Sequence, residues 1–79
     1  MNDKEIIRAA MKARDISQQK LANLVAGEEG APQTGVSEAL RRKNGMRIDK
    51  FASFLNAMNY EIVVRDPDTK QEWRLVMDE

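Results

Sequence analysis

Hydrogen-bond donors and positive charges concentrate in one short stretch of the chain, residues 33–44. Within this stretch, Val36, Ala39 and Leu40 form a narrow apolar stripe at helical spacing. The polar residues that project away from the stripe or follow it are Gln33, Thr34, Ser37, Glu38, Arg41, Arg42, Lys43 and Asn44. Such a surface can bind a polar or anionic partner. An ordinary solvated helix surface is the alternative that these residues leave open.

Two glutamines earlier in the chain could serve the same chemistry. Ser17 is a favourable N-cap residue, and it places Gln18 and Gln19 in the first turn of a helix, on its exposed side. A glutamine in a first turn can bind a phosphate together with the free backbone N–H groups there. Ordinary solvated polar residues are again the alternative.

Composition argues against catalysis. The 79 residues contain no histidine and no cysteine, which removes the commonest general base, the commonest metal ligand and any disulfide. The carboxylates are scattered. Gly27, Gly30 and Gly35 do not fit a phosphate-binding loop, because no strand precedes them and no Gly-Lys-Ser/Thr follows. We therefore expect no enzyme, no metal site and no cofactor.

The net charge of zero conceals an uneven distribution. Residues 1–59 contain ten Lys or Arg and seven Asp or Glu, whereas residues 60–79 contain three and six. A basic front and an acidic tail hint at a polyanionic partner on the front alone, although charge runs are usually solvated faces. No apolar run approaches the roughly 18–20 residues that span a bilayer, and the N-terminus lacks the apolar segment of a signal peptide. We expect a cytoplasmic protein with no membrane contact.

Two short helices joined by a turn must position the polar residues. The apolar residues that define the first of them are Leu21, Leu24 and Val25. The segment GEEGAP, residues 27–32, ends this helix, and Pro32 suits the first turn of the next. Two small residues, Ala22 and Gly35, fit a close crossing of the pair.

The end of the second helix of the pair and two further helices complete the helical part. Lys43-Asn44-Gly45 should end the second helix, with Asn44 or Gly45 in a left-handed cap. Asn2 or Asp3 can cap a helix that ends near Arg14. The last helix should span about Ile48 to Met58. Its expected buried face contains Ile48, Phe51, Leu55 and Met58, with Ala52 and Phe54 beside it.

Beyond Asn59 the apolar pattern changes from helical to alternating. YEIVVRD and QEWRLVM are rich in β-branched and aromatic residues and predict two strands, and Pro67-Asp68-Thr69-Lys70 predicts the turn between them. The predicted fold is therefore mainly α: a four-helix domain over residues 1–59, with a C-terminal antiparallel β-hairpin over residues 60–79 of the same domain.

The predicted hairpin has more apolar surface than a four-helix core of this size needs. A lone hairpin is marginal in water, so it must pack on something. An exposed strand edge can pair with a second copy of the chain, which predicts a homodimer. The residues of the predicted dimer interface are Ile62, Val63, Val64, Trp73, Leu75 and Val76.

SQQKLANLV, residues 17–25, resembles the start of the helix-turn-helix motif in the Cro and phage-repressor (XRE-type) family. The family pattern there is Ser or Thr, Gln, two variable residues and Leu-Ala. VSEALRRKNGMRIDKFASFLNAMNYEIVVRD, residues 36–66, resembles the remainder of small phage and mobile-element members. In those members the second motif helix precedes a Leu-x-Ala-hydrophobic-x-Tyr-Glu pattern that leads into a strand.

The resemblance implies a helix-turn-helix domain that binds double-stranded operator DNA as a two-fold dimer and represses or regulates transcription. By position, Gln18 matches a glutamine that binds phosphate. Gln33 and Thr34 match the front of the recognition helix, whose side chains enter the major groove. Ser37 and Glu38 lie one turn further on. Arg41 and Arg42 lie toward the end that contacts the DNA backbone. Gly35 stands where members usually carry Ala.

The turn departs from the family pattern, because GEEGAP makes it longer than the usual connection. The placement of Gln33 and Thr34 therefore depends on how this turn folds. Glu28 and Glu29 would be repelled by phosphates, so we expect them to point away from DNA. Glu38 can accept from cytosine or form an ion pair with one of the two arginines that follow it, and we favour the ion pair.

Two other functions remain open at the level of sequence. An antitoxin of a toxin–antitoxin pair would autoregulate through the same motif and cover a toxin with its acidic tail or first helix. A protein-interaction module would keep the fold without binding DNA.

Overall fold

The computed structural model describes residues 1–77, which form four helices followed by a two-stranded antiparallel hairpin. The helices are α1 (Asp3–Ala13), α2 (Gln18–Ala26), α3 (Thr34–Arg41) and α4 (Ile48–Ala57), and the strands are β1 (Ile62–Arg65) and β2 (Glu72–Leu75). The predicted mainly α fold with a C-terminal hairpin is confirmed. Within residues 1–77, no helix has the length and apolar character needed to cross a lipid bilayer.

Side chains cap the first two helices as the sequence predicts. Oδ1 of Asn2 accepts a hydrogen bond from the backbone N–H of Glu5 at 2.9 Å. Oγ of Ser17 accepts one from the backbone N–H of Lys20 at 3.0 Å. The start of a helix leaves such N–H groups without a backbone partner, so each cap stabilises the first turn.

The four helices enclose one apolar core. Ile7 of α1 and Leu21 of α2 are completely buried, and α4 packs against both of these helices. The buried apolar residues are Ile7, Ala10, Met11, Leu21, Ala22, Ala31, Val36, Ala39, Leu40, Ala52, Phe54, Leu55 and Met58. The core thus fixes α3 through its narrow apolar stripe and leaves the other side of α3 uncovered.

Three residues of the apolar patterns that define α2 and α4 are exposed. Ile48 is 57% exposed, Leu24 42% and Val25 41%. Ile48 is the first residue of α4, one turn before Phe51, and the buried residues of this helix, Ala52, Phe54 and Leu55, lie further along it. Leu24 and Val25 lie in the second half of α2, after the residues of that helix that enter the core. Helical spacing identified the apolar face of each helix. It did not show which part of that face is buried by neighbouring elements.

Three predictions about α3 are wrong. Nothing lies within 4 Å of a Cβ placed on Gly35, so this residue does not mark a close helix crossing. Pro32 precedes α3, which begins at Thr34 after the N-cap residue Gln33. Arg42, with φ −62° and ψ 144°, carries the chain out of the helix in an extended conformation. No left-handed cap forms at residues 44–45 as a result.

The two faces of the hairpin differ in chemistry. The strands pair Ile62 with Leu75, Val63 with Arg74, Val64 with Trp73, and Arg65 with Glu72. Paired residues of an antiparallel ladder share a face, and the faces alternate along each strand. One face is therefore apolar, and we call its members, Ile62, Val64, Trp73 and Leu75, the apolar hairpin face. The opposite face contains ion pairs of 3.0 Å between Arg65 and Glu72 and of 3.6 Å between Arg74 and Glu61.

Tyr60 joins the hairpin to the helices. Its backbone N–H donates to the carbonyl of Leu55 at 2.9 Å, and its hydroxyl donates to the carbonyl of Ala10 at 3.3 Å. The guanidinium of Arg14 lies 4.1 Å from the centre of its ring, within the range of a cation–π interaction. The start of the hairpin is thus held on α1 and α4, whereas Trp73, further along, is 55% exposed.

Candidate nucleic-acid interface

The structure brings the predicted contact residues that belong to α3 to one side of that helix. Val36, Ala39 and Leu40 face the core, so the opposite side of α3 faces solvent. Gln33, Thr34, Glu38, Arg41, Arg42, Lys43 and Asn44 are exposed and Ser37 is half-buried. We call these eight residues the α3 surface.

The α3 surface contains three cations and one carboxylate. In residues 1–77, the ion pairs join Arg47 to Asp49, Arg65 to Glu72 and Arg74 to Glu61, so the predicted pair between Glu38 and an arginine of α3 is wrong. Nε of Arg41 instead donates to the carbonyl of Ser37 at 3.4 Å. Glu38 lies beside Arg41 and Arg42 in a shallow depression open to solvent, where its carboxylate can accept a hydrogen bond from a ligand.

Arg47 and Lys50 extend the positive surface onto the start of α4. Both residues line a small cleft together with Glu38, Arg42 and Asn44 of the α3 surface. Arg47 makes an exposed ion pair of 3.4 Å with Asp49. The apolar pattern of α4 indicated a core helix, and neither of these two residues was predicted as part of the site. Their closeness in sequence to the basic end of α3 was the available signal.

Three side chains of α1 hold the C-terminal end of α3 and the loop that follows it. Nη2 of Arg8 donates to the carbonyl of Leu40 at 2.8 Å, and Nζ of Lys4 donates to the carbonyl of Asn44 at 2.8 Å. Oδ2 of Asp3 accepts from the backbone N–H of Met46 at 2.5 Å. This last bond keeps the pKa of Asp3 below its usual value, because it favours the ionised carboxylate.

A pair of amide side chains from α2 closes the wide turn before α3. Oδ1 of Asn23 accepts from the backbone N–H of Ala31 at 2.9 Å and from Nε2 of Gln19 at 3.0 Å. Nε2 of Gln19 also donates to the carbonyl of Ala31 at 2.6 Å. We call this arrangement the turn clasp. Gly27 (φ 73°) and Gly30 (φ 70°) supply the left-handed conformations of the same turn.

The two glutamines of α2 are in different situations. Gln18, the first residue of α2, is half-buried next to the N–H groups of the first turn. Gln19 is exposed, but its amide donates within the chain to the turn clasp. A phosphate at Gln19 would therefore compete with two internal acceptors. Contact of either residue with DNA stays a prediction.

An open groove lies between α2, the turn and α4, with a volume of about 660 Å³. Val25, Pro32 and Phe54 are among its apolar lining residues, and Arg47 and Lys50 line it as well. A second depression beside it contains Leu24 and Met77. The incomplete burial of the second half of α2 therefore leaves an apolar strip on the surface of the chain.

The predicted dimer residues are only partly covered within one chain. Ile62 and Leu75 are half-buried, whereas Val63, Val64, Trp73 and Val76 are exposed. Ile62 packs against the helical core, so the far half of the apolar hairpin face, at Val64 and Trp73, remains open to solvent.

Comparison of the chain with protein-family models, with curated proteins and with solved structures finds no match. The resemblance to the Cro and phage-repressor family therefore stands on residues 17–25 and 36–66 alone. The geometry of the α3 surface and of the hairpin supplies the remaining support for a function.

Proposed function

We propose that this protein is a sequence-specific, repressor-like regulator of transcription that acts in the cytoplasm as a dimer on operator DNA. The α3 surface is the observation that carries the proposal. It is polar and basic, it is free of the core, and α1 and α2 hold the chain at both of its ends. A helix with these properties can dock in the major groove at a defined angle.

The proposed contacts divide between bases and phosphates. Gln33 and Thr34 lie at the start of α3 and would read base edges, and the side chain of Gln33 makes no capping hydrogen bond that would occupy its amide. Arg41 and Arg42, at the other end, would bind phosphates. Gln18 would bind a phosphate from the first turn of α2. Glu38 would accept a hydrogen bond from the N4 amino group of a cytosine.

The second copy in this proposal docks on the hairpin. Val64 and Trp73 form an exposed apolar pair on one face, while the charged residues of the other face are satisfied by ion pairs. A two-fold dimer would present two α3 surfaces to half-sites about one helical turn, roughly 34–36 Å, apart. A palindromic operator is the expected consequence.

The deciding experiment is selection of bound sites from random DNA, followed by affinity measurements at two salt concentrations. One palindromic sequence should be enriched. Arg41→Ala and Arg42→Ala should each weaken binding and lower the slope of log K against log salt by about one, the value for one lost phosphate contact. Lys12→Ala removes the same charge from the exposed side of α1 and should leave the slope unchanged. No enrichment, or unchanged slopes in both arginine variants, would overturn the proposal.

The base-reading part has its own test. Gln33→Ala or Thr34→Ala should change the preferred base at one operator position, at a cost of about 1–3 kcal/mol for the original base. Affinity for random-sequence DNA should stay the same, because these side chains are not proposed to bind phosphate. Equal losses on all sequences would contradict the recognition role of α3.

The apolar groove beside α2 supports a second candidate, an antitoxin that also regulates its own gene. Exposed apolar surface of this kind often marks a protein-binding site. The antitoxin candidate predicts that a protein encoded beside the gene copurifies with the chain. Val25→Asp should abolish copurification and leave DNA binding intact. If no DNA from the native locus is bound even at low salt, a protein-interaction module without DNA binding takes the place of both.

A further inference from the structure

We propose that Gln19 and Asn23 are positioning residues, which set the direction of α3 through the turn clasp and thereby determine how sharply the protein discriminates between DNA sequences. The proposal rests on the proposed function. It assigns Gln19 a role different from direct contact with DNA, and it gives Asn23, which is absent from the predicted site, a part in recognition.

The turn clasp binds both polar groups of one backbone residue. The N–H of Ala31 donates to Asn23 and the carbonyl of Ala31 accepts from Gln19, at 2.9 Å and 2.6 Å. Gln19 and Asn23 are four residues apart on α2, so they project from the same side of the helix, and their amides are joined at 3.0 Å. These hydrogen bonds therefore fix the position and orientation of Ala31 relative to α2.

Packing fixes the same residue. Ala31 is 4% exposed and belongs to the core cluster that contains Leu21 and Val36. At its upstream end, the backbone N–H groups of Gly27 and Glu28 donate to the carbonyl of Asn23 at 2.8 Å and 3.2 Å, which closes α2. At its downstream end, Ala31 is the fixed point of the wide turn, and this point lies next to α3.

The fixed point is close enough to α3 to control its direction. Only Pro32 and Gln33 separate Ala31 from Thr34, the first residue of α3. The ring of Pro32 fixes its own φ angle, which removes one of the backbone rotations between Ala31 and the helix. A rotation of the Ala31 peptide would move Gln33 and Thr34, the proposed base-reading residues, relative to α2. Loss of the clasp should therefore disturb the contacts of Gln33 and Thr34 with base edges more than the contacts of other residues with phosphates.

The test compares Gln19→Ala and Asn23→Ala with the wild type on the selected operator and on random-sequence DNA of equal length, at two salt concentrations. In both variants the ratio of operator affinity to random-DNA affinity should fall about tenfold, the scale of one lost base contact. Random-DNA affinity and the salt slope should not change. If Gln19→Ala weakens binding to all DNA and lowers the salt slope, Gln19 contacts phosphate and the proposal is wrong.

Asn23→Asp is the matched control. A carboxylate at this position keeps an oxygen that accepts from both Ala31 and Gln19, so the affinity ratio should stay near that of the wild type. The added charge acts on operator and random DNA alike and cancels in the ratio. A ratio that is unchanged in Asn23→Ala, while its melting temperature falls, would show a purely structural role and overturn the proposal.

Two measurements without DNA separate the clasp from the proposed function. The Ala31 amide should be protected from hydrogen exchange in the wild type and should exchange about tenfold faster or more in Asn23→Ala, as expected when a local hydrogen bond is lost. Residual dipolar couplings should show a changed angle between α2 and α3 in both alanine variants but not in Asn23→Asp. An unchanged Ala31 exchange rate and angle would overturn the clasp. Intact protection in a chain that binds no DNA would overturn the proposed function and confirm the clasp.

Discussion

The helical part, residues 3–57, buries its apolar side chains more completely than the hairpin, residues 62–75. In the helical part the apolar stripes meet in one core, and Ile7 and Leu21 are removed from solvent completely. In the hairpin the two strands pair and both arginines of the charged face form ion pairs, yet the side chains of Val64 and Trp73 are exposed to water. The helical part encloses its core within one chain and leaves only the apolar strip of α2 at its surface, whereas the far half of the apolar hairpin face is uncovered.

This difference separates stability from association. Changes in the helical core should act on the free energy of unfolding of each chain. Changes on the apolar hairpin face should act on the equilibrium between one chain and two. The following predictions test that division, beginning with the largest expected effect.

Leu21→Ala should lower the free energy of unfolding by about 2–5 kcal/mol, because it removes a fully buried side chain and leaves a cavity. Urea denaturation followed by circular dichroism measures the change. Val64→Ala, at a concentration too low for dimers, should cost less than about 1 kcal/mol, since its side chain is exposed. Comparable losses in the two variants would show that the hairpin belongs to the folding core.

Trp73→Ala should raise the dimer dissociation constant about 30-fold or more, because a tryptophan at the centre of an interface commonly contributes about 2 kcal/mol or more. Sedimentation equilibrium at several concentrations measures this, and the unfolding of the isolated chain should change little. Gln71→Ala, an exposed residue outside the strands, is the control. A Trp73→Ala protein that dimerises like the wild type would remove the hairpin from the interface.

Asp3 and Asp66 offer the finest comparison, because backbone N–H groups lower the pKa of both. Met46 does so for Asp3, across the fold, and Asp68 followed by Thr69 does so for Asp66, within the hairpin turn. A carboxyl group whose pKa is lowered in the folded state stabilises the fold at every pH above its unfolded-state pKa. This stabilisation is lost as the pH falls through the lowered, folded-state pKa. Asp3→Asn should therefore unfold at lower urea than the wild type at pH 7, and the gap should close below about pH 3.8.

Asp66→Asn should act on the hairpin turn alone. Its lost bonds join residues two and three positions apart, so the urea midpoint of the helices should stay unchanged. The amide of Thr69 should exchange with solvent faster, which nuclear magnetic resonance detects. An equal shift of the helical midpoint in Asp3→Asn and Asp66→Asn would show that the two regions unfold as one.

Periodicity in the sequence predicted the four helices and the hairpin because each element has a sufficiently clear apolar pattern. Short polar residues before the apolar repeats predicted the cap at Ser17 and a cap at either Asn2 or Asp3, of which the structure uses Asn2. The same reasoning placed the polar side of α3 on the surface, since Val36, Ala39 and Leu40 leave only one way for the helix to face.

Tertiary contacts account for what sequence reasoning missed. The exposure of Ile48, Leu24 and Val25 depends on which parts of other elements pack against their helices, which no local pattern contains. The turn clasp depends on how the backbone of residues 27–31 folds back on α2, and its amide side chains look like solvated residues in the sequence. The bond between Arg8 and Leu40 joins residues 32 positions apart. Local propensity describes single elements, whereas these features belong to pairs of elements.

The chain contains one tyrosine and one tryptophan, and the fold places them in separate environments. Tyr60 lies under the guanidinium of Arg14 where the hairpin meets the helices, and Trp73 stands in water on the apolar hairpin face. The unlabelled protein therefore has two intrinsic optical probes. Tyrosine absorbance reports on the junction between the two regions, and tryptophan emission should shift to shorter wavelength when a second surface covers the hairpin.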